Sequence, residues 1–340
     1  MTFLRAATAA SVLAMATPAT AQTTILFNNF LSPNDEVNIQ VINPWIADIA
    51  RVTEGRVTIT QPESSLAPPP EILNAVQQGI ADGGFMMVGF LENSNPLLQL
   101  PLLPNVNSSA GAGSVALWRT YEQFFAGHND MGDVQMLGLI MVPPGGFYSM
   151  NDTVYDDVSD FNGVKFWALP GYAARSMAAL GAVVTPGPAV RMYEVVSGGV
   201  VDAFCCLNYP SNEVFNVVQF TRSATDIPGG VFAPTFAFFV HNDVWNQISA
   251  EDQAAIRSVS GEVMARNAGG ADALNDQARE RFAAGGGQVI EASAEFLAQL
   301  DGAWAPVYQH WIDSANSAGI DGAAALAFYR ETMAAVEAGN

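Results

Sequence analysis

The side chains able to do chemistry are few, and their spacing assembles no catalytic set. Three histidines, His128, His241 and His310, are scattered, and the two cysteines stand side by side at Cys205 and Cys206. Twelve arginines and one lysine, Lys165, face 33 acids, for a formal charge of −20. The chain has no Gly-x-Ser-x-Gly elbow, phosphate loop, His-Glu-x-x-His or Cys-x-x-Cys, so nucleophilic, phosphoryl and zinc chemistry lack their usual scaffolds. Gly83-Gly84 and Gly145-Gly146 are not followed by the spacing of a dinucleotide fingerprint. The acid pairs Asp156-Asp157 and Glu251-Asp252 sit at turns and helix starts, where solvated carboxylates are ordinary. Binding without turnover, cofactor or metal is therefore expected. An acidic surface repels phosphate, which sets nucleic acid aside as a partner. Adjacent cysteines allow two states: a vicinal disulfide in an oxidising compartment, or two free thiols on opposite sides of a strand.

The elements that must position these residues belong to an exported α/β protein. Half of the 340 residues are apolar and 14% are charged, enough for a large core and against extended disorder. Met1 to Ala21 has one early positive charge, an apolar run from Ala6 to Ala16 and a small-x-small ending at Ala19-Thr20-Ala21. That is the pattern of a cleaved signal peptide and implies a periplasmic location. The apolar run is too short to span the ~30 Å of a bilayer core.

Two stretches share one build. Pro70 to Asp82 and Pro188 to Asp202 each open a short helix at proline and close it at glycine. Both then run through Gly-x-x-Asp into a strand, Gly84 to Gly89 and Ala203 to Leu207, which suggests two lobes of similar construction. Thr24 to Phe27 and Arg56 to Thr60 read as strands, and Asn38 to Val52 as a helix between them. Met136 to Val142 is an apolar strand that breaks at Pro143-Pro144-Gly145-Gly146 and resumes as Phe147 to Asn151, a chain crossing of the hinge type. Val231 to Val240 is the expected return crossing. Ser249-Ala250-Glu251-Asp252 caps a helical pattern that persists to about Ala283, with a kink at Gly269-Gly270.

Several segments, in order along the chain, resemble the solute receptors of tripartite ATP-independent periplasmic (TRAP) transporters, the DctP-like family. They are Val52-Thr53-Glu54-Gly55-Arg56-Val57, Gly79-Ile80-Ala81-Asp82, Asp160-Phe161-Asn162-Gly163-Val164-Lys165-Phe166, Gly199-Val200-Val201-Asp202 and Asn242-Asp243-Val244-Trp245. The resemblance implies a two-lobed α/β periplasmic binding protein of the Venus-flytrap kind, with hinge strands and a long lobe-spanning helix. It also implies a small-molecule solute trapped between the lobes and passed to membrane permease subunits without ATP, by a receptor expected to be a monomer. On this basis lobe I takes 22–144 plus about 232–268, and lobe II takes 145–231 plus about 285–325. The connecting helix takes 249–283.

One departure bears on specificity. Most relatives carry, two residues after the motif lysine, an arginine that grips the ligand's carboxylate; here Lys165-Phe166-Trp167 puts an indole there. A buried carboxylate without its partner loses ~3–5 kcal/mol, roughly 200- to 5,000-fold in affinity. Aromatic faces instead stack on flat ligands and attract cations. The expectation is an aromatic-walled pocket for a neutral, aromatic or cationic solute. Its candidate residues are Trp167, Phe147, Tyr148, Phe85, Phe204, Cys205, Cys206, Asn208, Phe236 and Asn28, with Asn208 as the orienting hydrogen-bonding group. The alternatives are a carboxylate held by Arg175 or Arg191 from a neighbouring helix, and an exported two-lobed enzyme.

Overall fold

A computed structural model describes residues 22–128 and 131–339. The expected signal peptide, Met1 to Ala21, lies outside the described residues. Eleven strands are laid down in chain order: β1 (Thr23–Asn28), β2 (Val57–Thr60), β3 (Gly83–Met87), β4 (Val134–Met141), β5 (Phe147–Ser149), β6 (Lys165–Ala168), β7 (Val183–Pro186), β8 (Ala203–Cys205), β9 (Ser223–Asp226), β10 (Thr235–His241) and β11 (Gln288–Glu291). Among the described residues they form two sheets, ordered β2-β1-β3-β10-β4 and β11-β9-β5-β8-β6-β7. These are the two lobes. The central strands β3 and β8 are buried throughout, and β10 up to its last residue. Strands covered by helices on both faces read as continuous apolar runs.

The repeated Gly-x-x-Asp does the same job in each lobe. Gly79 and Gly199 take the left-handed backbone, at φ 72° and 65°, that ends their helices. Asp82 then clasps β1: its N–H donates to the Leu26 carbonyl (2.9 Å) and its Oδ2 accepts from the Leu26 N–H (2.7 Å). Asp202 clasps β6 alike, donating to the Lys165 carbonyl (2.8 Å) and accepting from its N–H (3.4 Å). Each aspartate extends the pairing between two parallel strands by one side chain, which explains its fixed spacing from the helix end.

The lobes are joined where the chain crosses. After β4, Pro143 to Gly146 leads into β5, and the return segment meets it: Gly145 N–H donates to the Phe232 carbonyl (3.0 Å) and Val231 N–H to the Gly145 carbonyl (2.8 Å). Gly145 has no room for a side chain. A Cβ there would lie 2.1 Å from the Leu207 carbonyl oxygen.

Two boundaries differ from expectation. The helix expected over 249–283 is three pieces, Ala250–Ser258, Glu262–Asn267 and Gly270–Ala284. The first break is at Gly261, where φ is 57° and the N–H turns out to the Leu137 carbonyl (2.7 Å). The second is at Gly269, which packs on the backbone of Gly111. The longest helix is Ala294–Ser317, of 24 residues, and it spans both lobes. In lobe II the Trp304 indole donates to the Ser176 carbonyl (3.1 Å), and in lobe I that of Trp311 donates to the Pro96 carbonyl (3.0 Å). The final helix, Gly322–Glu337, packs on Ala110–Thr120 of lobe I, so lobe II ends well before 325.

Candidate functional site

Where the strand ends of the two sheets face each other, the lobes close over a cavity of about 50 Å³. Its wall is built almost wholly from residues just past the strand ends: Phe30 and Leu31 after β1, Met87 and Phe90 at and after β3, and Val142 after β4. From lobe II come Leu169 after β6, Pro188 to Val190 after β7, and Leu207 after β8. Antiparallel β10 contributes Phe236 near its start and Pro234 just before it, and the helix Tyr209–Val214 adds Ser211 and the following Phe215. Crevices at the carboxyl ends of parallel strands are where open α/β sheets bind ligands.

An aromatic column carries this wall. Phe85 lies inside lobe I, stacked on Phe238 (5.1 Å between centroids) and on Phe30 (4.9 Å), with Phe236 edge-on at 5.6 Å. Phe30 and Phe236 present their free sides to the cavity. None of the described residues lining the cavity is basic.

Among the described lining residues, ionisable groups enter at one place. Asp35 and Glu36 follow the turn after β1, are each 5% exposed, and line the cavity. Asp35 Oδ1 accepts from the Val37 N–H (2.9 Å) and starts the helix that runs on to Val52. Glu36 Oε1 accepts from Asn208 Nδ2 at 2.5 Å, a bond between lobe I and lobe II. Asn208 is held in that orientation because its Oδ1 caps the next helix, accepting from the Ser211 N–H (2.9 Å). Glu36 Oε2 is buried and makes no bond within the protein. Burial pushes the Glu36 carboxyl up to about 8, the Asn208 bond opposing and Asp35 and Asp272 adding to the rise. Burial likewise raises Asp35 to about 6, against the pull of the Val37 N–H.

Residues 27–314 match the family described as bacterial extracellular solute-binding protein, family 7, DctP. That span is most of the chain. The chain belongs to this family. It is a DctP-like TRAP receptor, and its two-lobed architecture is the family's. It is 37% identical over 334 residues, 97% of this chain and 98% of the relative, to a protein named outer membrane transporter protein TsaT from Comamonas testosteroni. A TRAP periplasmic solute-binding protein from Bordetella bronchiseptica, solved with (R)- and (S)-mandelate bound, is similar at 28% identity and a TM-score of 0.88, over 92% of this chain and 99% of that one. A TRAP solute-binding protein from Rhodoferax ferrireducens in complex with copurified benzoate shares the fold at 21% identity and a TM-score of 0.83, over 92% and 98% of the two chains. Proteins of this family act outside the cytoplasm, bind small-molecule solutes and work with membrane permease components. Among the described residues of this receptor no helix is long and apolar enough to cross a membrane.

The receptor distributes the residues expected at its site over three layers. Phe236 lines the cavity, and Asn208 reaches its edge through Glu36. Phe85 stands one ring behind the wall. Trp167 is fully buried in β6, its indole nitrogen unpartnered and 3.4 Å from where a Cβ on Gly187 would sit, beneath the segment that presents Pro188 to the cavity. Asn28 pins the loop over β1, its Oδ1 accepting from the Leu66 N–H (2.8 Å).

Phe147 opens β5, Tyr148 and Phe204 sit mid-strand, and all three are buried in the sheet. Phe147 packs edge-on against Phe161 (4.7 Å), and Tyr148 stacks on Phe204 (5.1 Å). Tyr148 lines a separate hollow at the back of the hinge, beside Tyr209, Asp226 and Arg279. Cys205 and Cys206 are bonded to each other, with Cys206 at φ 80°, just before the cavity residue Leu207. Neither candidate arginine lines the cavity. Arg175 pairs with Glu92 of the opposite lobe at the rim (2.8 Å), and exposed Arg191 pairs with Glu194 on its own helix (2.7 Å).

Among the cavity residues that sequence reasoning missed are Phe30, Phe90, Phe215, Asp35 and Glu36. For Phe30 and the two acids the signal was position, immediately after the first strand of a parallel sheet. Nothing local marked Phe215.

Proposed function

We propose that this receptor captures a small solute bearing an aromatic ring and delivers it to TRAP permease subunits, acting as a monomer and without chemical turnover. The observation that carries the reading is the wall of Phe30, Met87, Phe90, Phe215 and Phe236 with no basic side chain in it. Flat rings gain from offset and edge-on contact with such a wall beyond the area they bury. A solute gripped chiefly by an ion pair to its carboxylate is disfavoured, because the only charged groups at the wall are acids. Trp167 supports the same conclusion: an indole in place of the relatives' arginine removes the guanidinium and fills the layer beneath Pro188. The mandelate and benzoate complexes of similar receptors support the ring-bearing part of the reading, since both molecules are aromatic carboxylates, a benzene ring with an acid group beside it.

The test is native mass spectrometry of freshly purified protein, followed by calorimetry with benzoate, benzamide, phenyltrimethylammonium and straight-chain dicarboxylates. Ring-bearing probes should bind and leave with unchanged mass. Tight binding of a dicarboxylate in preference to every ring-bearing probe would refute the reading, and turnover of a bound probe would favour an enzyme.

A further inference from the structure

We infer that Glu36 acts as a neutral hydrogen-bond donor that reads an acceptor oxygen, carbonyl or carboxylate, on the ring-bearing solute, with Asn208 fixing which of its oxygens does so. The inference rests on the aromatic reading above and deepens it. Its basis is the geometry of one carboxyl group. The Asn208 amide cannot turn without losing its helix cap, so its N–H must meet Glu36 Oε1 (2.5 Å). That leaves Oε2 as the atom that carries the proton whenever the group is neutral. Oε2 is buried, unpartnered and belongs to a side chain that lines the cavity. A buried hydroxyl donor with no acceptor is costly, and a ligand oxygen supplies what the protein does not.

The surroundings keep the group neutral. Asp35 precedes it, Asp272 faces it from the helix Gly270–Ala284, and both disfavour a second negative charge. The charged groups nearby on the other lobe side are Glu213 and Arg281, which line a neighbouring hollow with Glu36 and neutralise each other in an ion pair (2.6 Å). The upward displacement of its titration to about 8 agrees with the geometry. A receptor without an arginine among the described residues of its cavity wall thereby still recognises the oxygen end of an aromatic acid or amide.

The experiment compares Glu36→Gln with Glu36→Met by calorimetry at pH 6.5, using benzoate, benzamide and toluene. Gln keeps an acceptor for Asn208 and a donor for the ligand, so it should hold benzamide within about 3-fold of wild type. Met keeps the volume and removes the donor, so benzamide and benzoate should weaken about 10- to 100-fold, the range of one hydrogen bond to a buried group. Toluene, which has no acceptor, should bind the two variants alike. Equal affinity of the Gln and Met variants for benzamide overturns the inference and leaves the aromatic reading standing. Failure of every ring-bearing probe, with a dicarboxylate bound instead, overturns both. Should the Met variant not fold, infrared difference spectra of wild type against Glu36→Gln replace it. A protonated carboxyl band that shifts on adding benzamide supports the inference, and a band that stays put overturns it.

Discussion

Glu36 ties the stability of the unliganded receptor to pH in a calculable way. In the folded protein its carboxyl titrates near 8, against an ordinary value of 4.5, with burial as the main cause. Because the folded state holds the proton more tightly than the unfolded chain, the stabilisation is complete below about 4.5 and is lost as pH rises toward 8. Asp35 behaves alike in the lower window, from 3.8 to about 6. Between pH 6 and pH 8 Glu36 therefore supplies most of the slope from this pair. At ~1.4 kcal/mol per pH unit the wild type should lose about 2 kcal/mol over that interval relative to Glu36→Gln. For a chain of this size that is on the order of 3 °C in Tm. Part of the loss will emerge as parting of the lobes, since opening returns the carboxylate to water more cheaply than global unfolding does.

The assay is thermal and urea denaturation of ligand-free wild type and Glu36→Gln at pH 6 and 8, with small-angle scattering to follow compaction. Titrating groups that are not coupled to Glu36 are common to both proteins and cancel in the double difference, leaving Glu36 with its neighbours Asp35 and Asp272. The wild type should drop further and expand more than the variant at pH 8. If the two proteins track each other within ~0.5 kcal/mol and keep the same radius of gyration, Glu36 is not held neutral by a closed cleft and the reasoning fails.

Other perturbations report on separate parts of the site. Phe236→Ala removes a ring that lines the cavity and leans on Phe85 at 5.6 Å; affinity for benzamide should fall about 10- to 100-fold, the ~1.5–3 kcal/mol of a lost buried ring contact, and a change under 3-fold in calorimetry would contradict the placement. Gly145→Ala drives a methyl to 2.1 Å from the Leu207 oxygen at the hinge; a loss of ~2–3 kcal/mol in urea denaturation is expected, and an unchanged midpoint would show that the crossing has slack. Arg175→Gln breaks a rim pair whose arginine side chain is 43% exposed; stability should move by under ~1 kcal/mol and benzoate affinity by under about 2-fold, whereas loss of benzoate binding would make Arg175 the carboxylate's holder after all. Intact mass of the unreduced protein should be two hydrogens lighter than the dithiol form, and the full dithiol mass would place free thiols at Cys205 and Cys206.

The parts of this receptor that its sequence discloses are those in which the backbone itself dictates a residue type. Gly79 and Gly199 are needed where a helix must end left-handed, and Asp82 and Asp202 where a strand needs one more pair of hydrogen bonds, so the two-lobed plan follows from their spacing. Side-chain alternation tells which face of a strand a residue occupies, but here both faces are core. The property that mattered for binding was distance from the strand's carboxyl end. That is why Phe204, before the end of its parallel strand, and Phe147 and Tyr148, already inside an antiparallel strand that starts at the cleft side, fell into the sheet, while Leu169 and Leu207, just past their strand ends, line the cavity. Glu36 was hidden for a different reason. An acid in the turn Ser32-Pro33-Asn34-Asp35 and just beyond it has every local mark of a solvated residue, and only the approach of Asn208 from a lobe 172 positions away buries it. Burial by a distant lobe leaves no trace in local pattern, yet it converts an ordinary surface carboxylate into a polar group able to sort ligands in a largely apolar cleft. In a hinged receptor, then, the residues that set specificity are those whose environment exists only when the lobes meet.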